Sequence, residues 1–271
     1  MRFGGNPLAV VLDADDLSTV QMQNVAREFG YSETTFVTRP KGEGTHHVRI
    51  FTPTFEMPFA GHPNVGTGHV LAVLDAAAER FVFEEIAGLV PVTIERTRGE
   101  VARVEIVAPE PLETGRTGTV EEVAAVLNLE PDRIVTETHD PRAASVGAAF
   151  TIVELCDREA LREMRVEDRV ALSKLGGLAA IYAYTRDAGQ DGSDIAARMI
   201  FDAGGIVEDP ATGSATAACA ALIHSLTGED ALTFSQGVDM GRPSRIATRV
   251  SEAGIHVAGT CVSVMKGTIT V

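Results

Sequence analysis

The chain has 271 residues, of which 45% are apolar and 23% are charged, an ordinary globular composition that excludes a wholly disordered protein. Its 38 acidic and 23 basic residues give a formal net charge of −15, and no basic cluster is present to neutralise nucleic-acid phosphates. No apolar run reaches the roughly 18 residues of a membrane helix. We therefore expect no nucleic-acid partner and no membrane partner.

The three cysteines are widely separated, at Cys156, Cys219 and Cys261. An odd number at such spacing predicts neither a disulfide framework nor a zinc site, so buried, reduced side chains are expected. The N-terminus also lacks the apolar segment and cleavage pattern of a secretory signal. Both observations favour a cytoplasmic location.

Strand-like and helix-like segments alternate along the first half of the chain. The apolar run 8–12 predicts a strand, and Asp15 and Asp16 are expected to cap a helix that ends at Gly30. A Gly-rich turn at Gly61 opens a second predicted helix at 65–78. Further strands are predicted at 32–37, 46–52, 81–84, 90–96 and 101–107.

The second half begins after a stretch rich in Pro, Gly and Thr at 109–118, which predicts a linker. Thr119 and Glu122 then have the spacing of a capping box and predict a helix to about residue 129. Strands at 148–154 and 177–185, a helix from Gly213 and closing strands follow. We predict an N-terminal domain at 1–110, joined by a final strand at about 263–271, and a C-terminal domain at 111–262.

A short pattern occurs twice. HPNVGTG at 62–68 aligns with DPATGSA at 209–215, and an apolar helix is predicted after each copy. The pattern indicates an internal duplication, although Gly and Pro are common enough for chance to remain an alternative.

The repeated turn has a chemical use. Backbone N–H groups at the start of a helix lack partners within it and attract carboxylates or phosphates. His62 and Asp209 stand beside the two prolines, and simple helix capping is the alternative role for both turns. Glu33, flanked by Ser32 and Thr34 at a predicted helix-to-strand junction, is a candidate proton carrier, or alternatively an ordinary surface glutamate.

The chain resembles the PhzF-like isomerases of phenazine biosynthesis, within the diaminopimelate-epimerase-like superfamily. The resemblance rests on FGGNPLAVVL at 3–12, SETTFV at 32–37, RIFTP at 49–53, FAGHP at 59–63 and EDPATGSA at 208–215. It implies an α+β fold of two similar domains, each a curved, mostly antiparallel sheet around a central helix, with the active site in the cleft between them. It also implies no cofactor and a homodimer.

The resemblance further assigns residues to roles. Glu33 matches the catalytic acid/base of the family, His62 and Asp209 match its polar partners, and the substrate pocket is lined by Gly61, Gly213 and Ser214. Members usually begin with one more strand before the first motif. Asn64 stands where the family commonly has Thr, so the pocket is expected to bind a different group.

We therefore expect an isomerase that moves a proton between carbons of a small carboxylate-bearing substrate. An amino-acid or hydroxy-acid epimerase or racemase is one alternative, and a non-catalytic small-molecule binder on the same fold is another. Superfamily members that use two facing thiols are a poor match. The corresponding helix starts carry His62 and Asp209, and Cys219 lies five residues beyond Ser214.

Overall fold

The computed structural model describes residues 1–175, 179–190 and 192–271. The chain divides into two compact units, one comprising residues 1–107 and 258–271 and the other residues 108–257. Among the described residues, no helix combines the length and the apolar character needed to cross a membrane.

The first unit contains a mixed sheet and two α-helices. Its strands are β1 (Leu8–Val11), β2 (Glu33–Thr38), β3 (His46–Phe51), β4 (Glu56–Met57), β5 (Arg80–Glu85), β6 (Gly88–Thr97) and β7 (Glu100–Val107), and its helices are α1 (Thr19–Phe29) and α2 (Gly61–Leu74). The pairs β1–β2 and β3–β5 are parallel, whereas β2–β3, β3–β4, β5–β6 and β6–β7 are antiparallel. Helix α2 lies close against the sheet, because Gly66 faces Leu8 and Gly68 faces Val92.

Helix α1 begins later than predicted. Asp15 and Asp16 lie in a preceding 3-10 turn, and the helix is capped by Ser18, whose hydroxyl accepts the N–H of Gln21 in a capping box. The two aspartates precede this more complete cap, so the prediction that they cap α1 is wrong. Gly30 ends the helix in the left-handed conformation, as predicted.

The second unit contains the remaining strands and helices of the described residues. Its strands are β8 (Glu113–Thr117), β9 (Ile134–Val135), β10 (Arg142–Ser145), β11 (Ala149–Leu155), β12 (Ala180–Thr185), β13 (Ile195–Asp202), β14 (Ile206–Asp209), β15 (Ala231–Gln236), β16 (Ser244–Ser251) and β17 (Gly254–Gly259), the last of which leads back into the first unit. Its helices are α3 (Val120–Leu127), α4 (Arg158–Glu163), α5 (Arg169–Lys174) and α6 (Gly213–Thr227). Residues 177 and 178 of the strand predicted at 177–185 lie outside the described residues.

Helix α6 occupies the core of this unit, and an unbroken run of its residues from Ala215 to Ile223 is buried. Thr119 caps α3 through the predicted capping box with Glu122. Helix α3 contributes Val123 and Leu127 to a second apolar cluster. Helix α6 is therefore buried around its whole circumference over this run, as expected for a helix surrounded by other elements.

Three sequence expectations need correction. The segment 109–118 is not all linker, because β8 pairs antiparallel with β10, and Gly115 lets the strand approach Ala143 closely. The strand expected at 263–271 is not formed. The four consecutive β-branched residues at 268–271 favour a strand, but regular pairing is absent there and every residue of 263–271 is exposed. Cys156 is exposed rather than buried, because it follows the last residue of β11, where the chain leaves the sheet.

The two units repeat one plan. A strand with an arginine is followed by a short antiparallel strand with a glutamate and then by the central helix. Arg49 donates to Glu56 through Nε and Nη2, both at 2.6 Å, and Arg198 donates to Glu208 at 2.8 and 2.7 Å. In each unit the strand after the helix returns parallel to the arginine strand, as β3–β5 and β13–β15. The duplication predicted from the short repeated turn is therefore also present in the topology.

Candidate functional site

Glu33 is the first residue of β2, where the chain leaves the turn after α1. It lies opposite Leu8 of β1 in the parallel pair. Side chains two apart on a strand share a face, so Glu33 points to the same side as Thr35. Thr35 is hydrogen-bonded to Thr67 of α2 at 2.8 Å, which shows that this face is covered by α2.

His62 is the second residue of α2 and meets Glu33 at the start of the helix. Its Nε2 lies 3.2 Å from Oε2 of Glu33, and the two side chains are 18% and 15% exposed, respectively. The pair is therefore largely shielded by protein, yet part of each side chain remains accessible. The structure thus brings together two of the three predicted catalytic residues within the first unit.

Two residues that the sequence reasoning did not single out determine which ring nitrogen of His62 carries the proton. The Ser32 hydroxyl donates to Oδ1 of Asn6 at 2.9 Å, and this turns the Asn6 Nδ2 group toward Nδ1 of His62 at 3.3 Å. Because an amide nitrogen only donates, His62 Nδ1 must accept. The ring proton of neutral His62 is then on Nε2, which faces the Glu33 carboxyl.

His62 stays neutral over the physiological range. Burial disfavours the imidazolium and lowers the pKa of His62 to about 3. With its proton on Nε2, neutral His62 lies 3.2 Å from one oxygen of Glu33 and helps to position that carboxyl.

The first copy of the repeated turn differs from the prediction. Helix α2 begins at Gly61, four residues earlier than predicted, so Pro63 and Gly66 already lie within the helix. Proline is tolerated there because N–H groups in the first helical turn have no partner within the helix. The N–H groups at this helix start therefore belong to Gly61, His62 and Asn64.

The other three predicted site residues lie together in the second unit. Asp209 ends β14, and Gly213 and Ser214 are the first two residues of α6, as the sequence predicted. The Thr212 hydroxyl donates to Oδ2 of Asp209 at 2.5 Å, a short charge-assisted contact. Asp209 is half-buried and Gly213 is buried.

Asn64 does not present its amide to solvent. It is completely buried on α2, where its polar neighbour is the Glu85 carboxyl at the end of β5. Cys219 is also completely buried, on α6, and burial raises the pKa of its thiol well above the usual range. A thiol with so little thiolate character is a poor general base, in agreement with the expectation that a two-thiol mechanism is not used.

The duplicated plan does not place a second carboxyl at the position equivalent to Glu33. In the first unit Phe36, which lies three residues after Glu33, pairs with Arg49. In the second unit Ala183 pairs with Arg198. Matching the two arginines places Ala180 at the position of Glu33. Matching Phe51 with Phe201 instead places Ala179 there. The second unit therefore has an alanine where the first has its carboxyl.

Comparison with known proteins places the chain in a family. A family model described as "Phenazine biosynthesis-like protein" (PhzC-PhzF) matches residues 1–267. The chain is 38% identical over 286 residues to an uncharacterized isomerase from Mesorhizobium japonicum, covering 98% of the chain and 94% of that protein. It is 37% identical over 264 residues to the trans-2,3-dihydro-3-hydroxyanthranilate isomerase of Pseudomonas aeruginosa, covering 96% and 90%.

The fold agrees with a solved member. The crystal structure of the Bacillus anthracis phenazine biosynthesis protein of the PhzF family matches with a TM-score of 0.84 at 25% identity, over 94% of this chain and 90% of that chain. The α+β fold class expected from the sequence is thereby confirmed. The chain belongs to the PhzC-PhzF family of phenazine biosynthesis-like proteins.

Proposed function

We propose that this chain is an isomerase that moves a proton between two carbons of a small carboxylate-bearing substrate, with Glu33 as the acid/base. The contact between Glu33 Oε2 and His62 Nε2 at 3.2 Å carries this proposal. A carboxyl group held beside a neutral histidine is positioned to take up and return a carbon-bound proton. The relatives named as isomerases support the same reaction class.

The substrate must stabilise the charge that remains when a C–H proton leaves. A conjugated ring acid meets this requirement, because its carboxylate and double bonds share the negative charge. The Pseudomonas aeruginosa relative is named for trans-2,3-dihydro-3-hydroxyanthranilate, a partly unsaturated ring that carries a carboxylate. We propose a substrate of this chemical class for the present chain.

In the second unit, we propose that the backbone N–H groups of Gly213 and Ser214 hold the substrate carboxylate or the developing oxyanion. These groups begin a 15-residue helix, whose dipole favours an anion at that end. Asp209 is proposed as the polar partner that orients the substrate, and Gly61 is proposed to line the pocket beside His62. No step of this scheme requires a cofactor.

The role of Glu33 is tested by Glu33→Gln. The amide cannot take up a proton, so kcat for trans-2,3-dihydro-3-hydroxyanthranilate should fall by about 10³-fold, within the range of general acid–base effects. Glu28→Gln, at an exposed position on α1, is the matched control and should leave kcat unchanged. Circular dichroism should show both variants folded, and turnover of Glu33→Gln within tenfold of wild type contradicts the proposal.

The same assay in deuterated water separates the three candidate functions. An isomerase yields a constitutionally changed product with deuterium at the carbon that receives the proton. An epimerase or racemase places deuterium at a stereocentre and leaves the connectivity unchanged. A binder shows calorimetric heat with carboxylate metabolites and no deuterium exchange.

The assembly is a separate proposal. The resemblance to PhzF-like isomerases predicts a homodimer, and light scattering of the purified chain should give twice the monomer mass. A monomer mass across the concentration range used for the activity assay contradicts that prediction.

A further inference from the structure

Two polar residues whose side-chain polar atoms are buried end equivalent strands of the duplicated plan. In the first unit His46 pairs with Phe83, so Glu85, two residues later, ends β5. In the second unit Ile195 pairs with Phe234, so Gln236 ends β15 in the same way. His46 and Ile195 each lie three residues before the arginine of the arginine–glutamate pair in their unit. Glu85 and Gln236 therefore occupy the same position in the two units.

Gln236 is completely buried and braces the start of α6 at three points. Its Oε1 accepts the N–H of Thr212 at 3.1 Å, and its Nε2 donates to the Asp209 carbonyl at 2.7 Å and to the Thr212 hydroxyl at 3.0 Å. Both amide hydrogens are then used. The Thr212 hydroxyl accepts from Gln236, so its own hydrogen is left for Asp209, to which it donates at 2.5 Å.

The backbone around this brace has little freedom. Gly237 has φ +73°, and a Cβ there would lie 2.6 Å from the Pro210 carbonyl oxygen and 2.5 Å from that of Arg242. The Ser244 hydroxyl donates to the Pro210 carbonyl at 2.9 Å. The turn from Asp209 to Thr212 is thus held from behind, with Gln236 at its centre.

Glu85 lies behind the first turn of α2. Both of its carboxyl oxygens and both polar atoms of the Asn64 side chain are buried without a hydrogen bond of normal geometry among the described residues. Burial raises the pKa of Glu85 to about 8, and the Asn64 amide opposes this effect. At neutral pH the carboxyl is therefore protonated. A protonated carboxyl can donate to Oδ1 and accept from Nδ2 of Asn64, as a glutamine amide could.

Other ionisable groups on the packed elements do not supply a charge that pairs with Glu85. These groups are His46, His47 and Arg49 on β3, Glu56 on β4, Glu84 on β5, His62 and His69 on α2, and Glu95 and Arg96 on β6. Arg49 is engaged by Glu56, and Glu84 accepts three backbone N–H groups of the turn at 41–44. Burial lowers the pKa of His46 and His62, so both are neutral at neutral pH.

We propose that Glu85 and Gln236 are matched positioning residues, each bracing the start of the central helix of its unit as an uncharged donor and acceptor. Gln236 holds Asp209, and Glu85 in its protonated form holds the helical turn that carries His62. This inference rests on the proposed function, because His62 and Asp209 matter to it as site residues.

The test exchanges the two side chains. Gln236→Glu places a carboxylate against the Asp209 carbonyl and the Thr212 hydroxyl, so kcat should fall at least about tenfold at pH 8 with a smaller change in KM. Lowering the pH should recover part of the loss, because the protonated side chain regains a donor. Glu85→Leu should lower kcat, and Glu85→Gln should restore it and remove any loss of rate between pH 7 and pH 9.

Two results overturn the proposal. One is a Gln236→Glu variant with the wild-type kcat at every pH. The other is a Glu85→Gln variant as impaired as Glu85→Leu, because the carboxyl itself would then be required. Thr212→Val and Thr212→Ser provide a further comparison, and only the serine variant should retain turnover, since it keeps the hydroxyl that joins Gln236 to Asp209.

A readout without turnover separates this inference from the proposed function. Backbone hydrogen exchange at Thr212, whose N–H is bonded to Gln236, should accelerate at least about tenfold in Gln236→Leu. Exchange at 65–68, where the first N–H groups bond within α2, should accelerate in Glu85→Leu but not in Glu85→Gln. If wild type turns over no substrate and these changes appear, the proposed function fails and the bracing roles stand. Unchanged hydrogen exchange in both leucine variants would contradict the bracing roles, whatever activity the variants have.

Discussion

Asn6 decides which nitrogen of His62 carries the proton, although it lies outside the helix that holds the histidine. Its amide is oriented by the Ser32 hydroxyl and leaves His62 Nδ1 as an acceptor. The Nε2 proton then faces Glu33 at 3.2 Å. A histidine in the other tautomer would direct a lone pair at the Glu33 carboxyl and would have no hydrogen to offer it.

We therefore expect Asn6→Asp to reverse the tautomer of His62. The new carboxylate can only accept, so Nδ1 becomes the protonated nitrogen. The kcat should fall by about 100-fold while the fold is retained, by analogy with other sites in which the wrong histidine tautomer disables an intact geometry. Nitrogen chemical shifts of the His62 ring should show the two nitrogens exchanging roles.

Ser32→Ala is the matched control for Asn6→Asp. It removes the group that orients the amide but keeps the amide itself, so the loss of kcat should be smaller than for Asn6→Asp. Equal losses in both variants, with unchanged ring shifts, would show that Asn6 does not set the tautomer.

The site residues differ in how far sequence could assign them. Glu33, His62 and Asp209 stand within motifs and were named from them. Asn6 lies in the first of those motifs, yet its role depends on a contact 56 positions along the chain. Gln236 lies in no motif at all, because its value comes from three bonds that exist only when β15 ends behind α6.

At the scale of elements, helix α2 is defined more by its fit to the sheet than by helix propensity. It begins at Gly61 and includes a proline and two further glycines within residues 61–68. A propensity-based prediction therefore delays the start to residue 65. Packing of α2 against the sheet offsets the low helix propensity of these residues. No local sequence pattern reveals that packing.

Two glycines of α2 allow that fit to be measured. A Cβ at Gly68 would meet Cγ1 of Val92 at 2.8 Å and Cγ1 of Val104 at 3.0 Å, both on β-branched side chains of paired strands. Gly68→Ala should therefore lower the free energy of unfolding by about 1–3 kcal/mol through overpacking. This loss should appear despite a gain in helix propensity of about 1 kcal/mol.

Gly66→Ala is the control for Gly68→Ala in the same helix. Its Cβ would clash with Cδ2 of Leu8, the far end of a flexible side chain that can rotate away, while Cγ and Cβ of Leu8 lie at ordinary contact distances. Chemical denaturation followed by circular dichroism suits both variants, since the chain has no tryptophan. A Gly68→Ala variant as stable as Gly66→Ala would contradict the close approach of α2 to β6 and β7.

Other elements show where sequence reasoning succeeds and where it fails. The capping box at Thr119 and the left-handed Gly30 are local devices, and both were read correctly. The segment 263–271 ends in a run of β-branched residues that favours a strand, but it has no regular pairing. A strand needs a neighbour, which the pattern of one segment cannot supply.

At the scale of the whole molecule, two buried groups give stability opposite dependences on pH. Unfolded His62 binds a proton near pH 6.5 and folded His62 only near pH 3, so stability falls as the pH falls from 6.5 to 3. Folded Glu85 keeps its proton up to about pH 8 and unfolded Glu85 only to about 4.5, so its contribution falls as the pH rises from 4.5 to 8. The two effects oppose each other between pH 4.5 and 6.5.

We expect unfolding free energies to be nearly flat from pH 4.5 to 6.5 with respect to these two groups, and to decline on either side. Each group contributes a slope of at most about 1.4 kcal/mol per pH unit. Glu85→Gln should remove the decline between pH 6.5 and 8, and His62→Gln should reduce the decline below pH 4.5. Urea unfolding of wild type and both variants across this range measures the differences directly.

In the mechanism we propose, the alanine that stands in the second unit where the first has Glu33 constrains the stereochemical course of the reaction. A single carboxyl that both removes and returns the hydrogen must approach the substrate from one side only, so the transfer should be suprafacial. Some of the hydrogen taken from the substrate should also stay on the Glu33 carboxyl until it is returned, rather than exchange with water. A substrate deuterated at the donor carbon and turned over in ordinary water should therefore retain part of its label at the acceptor carbon, on the face from which it was taken.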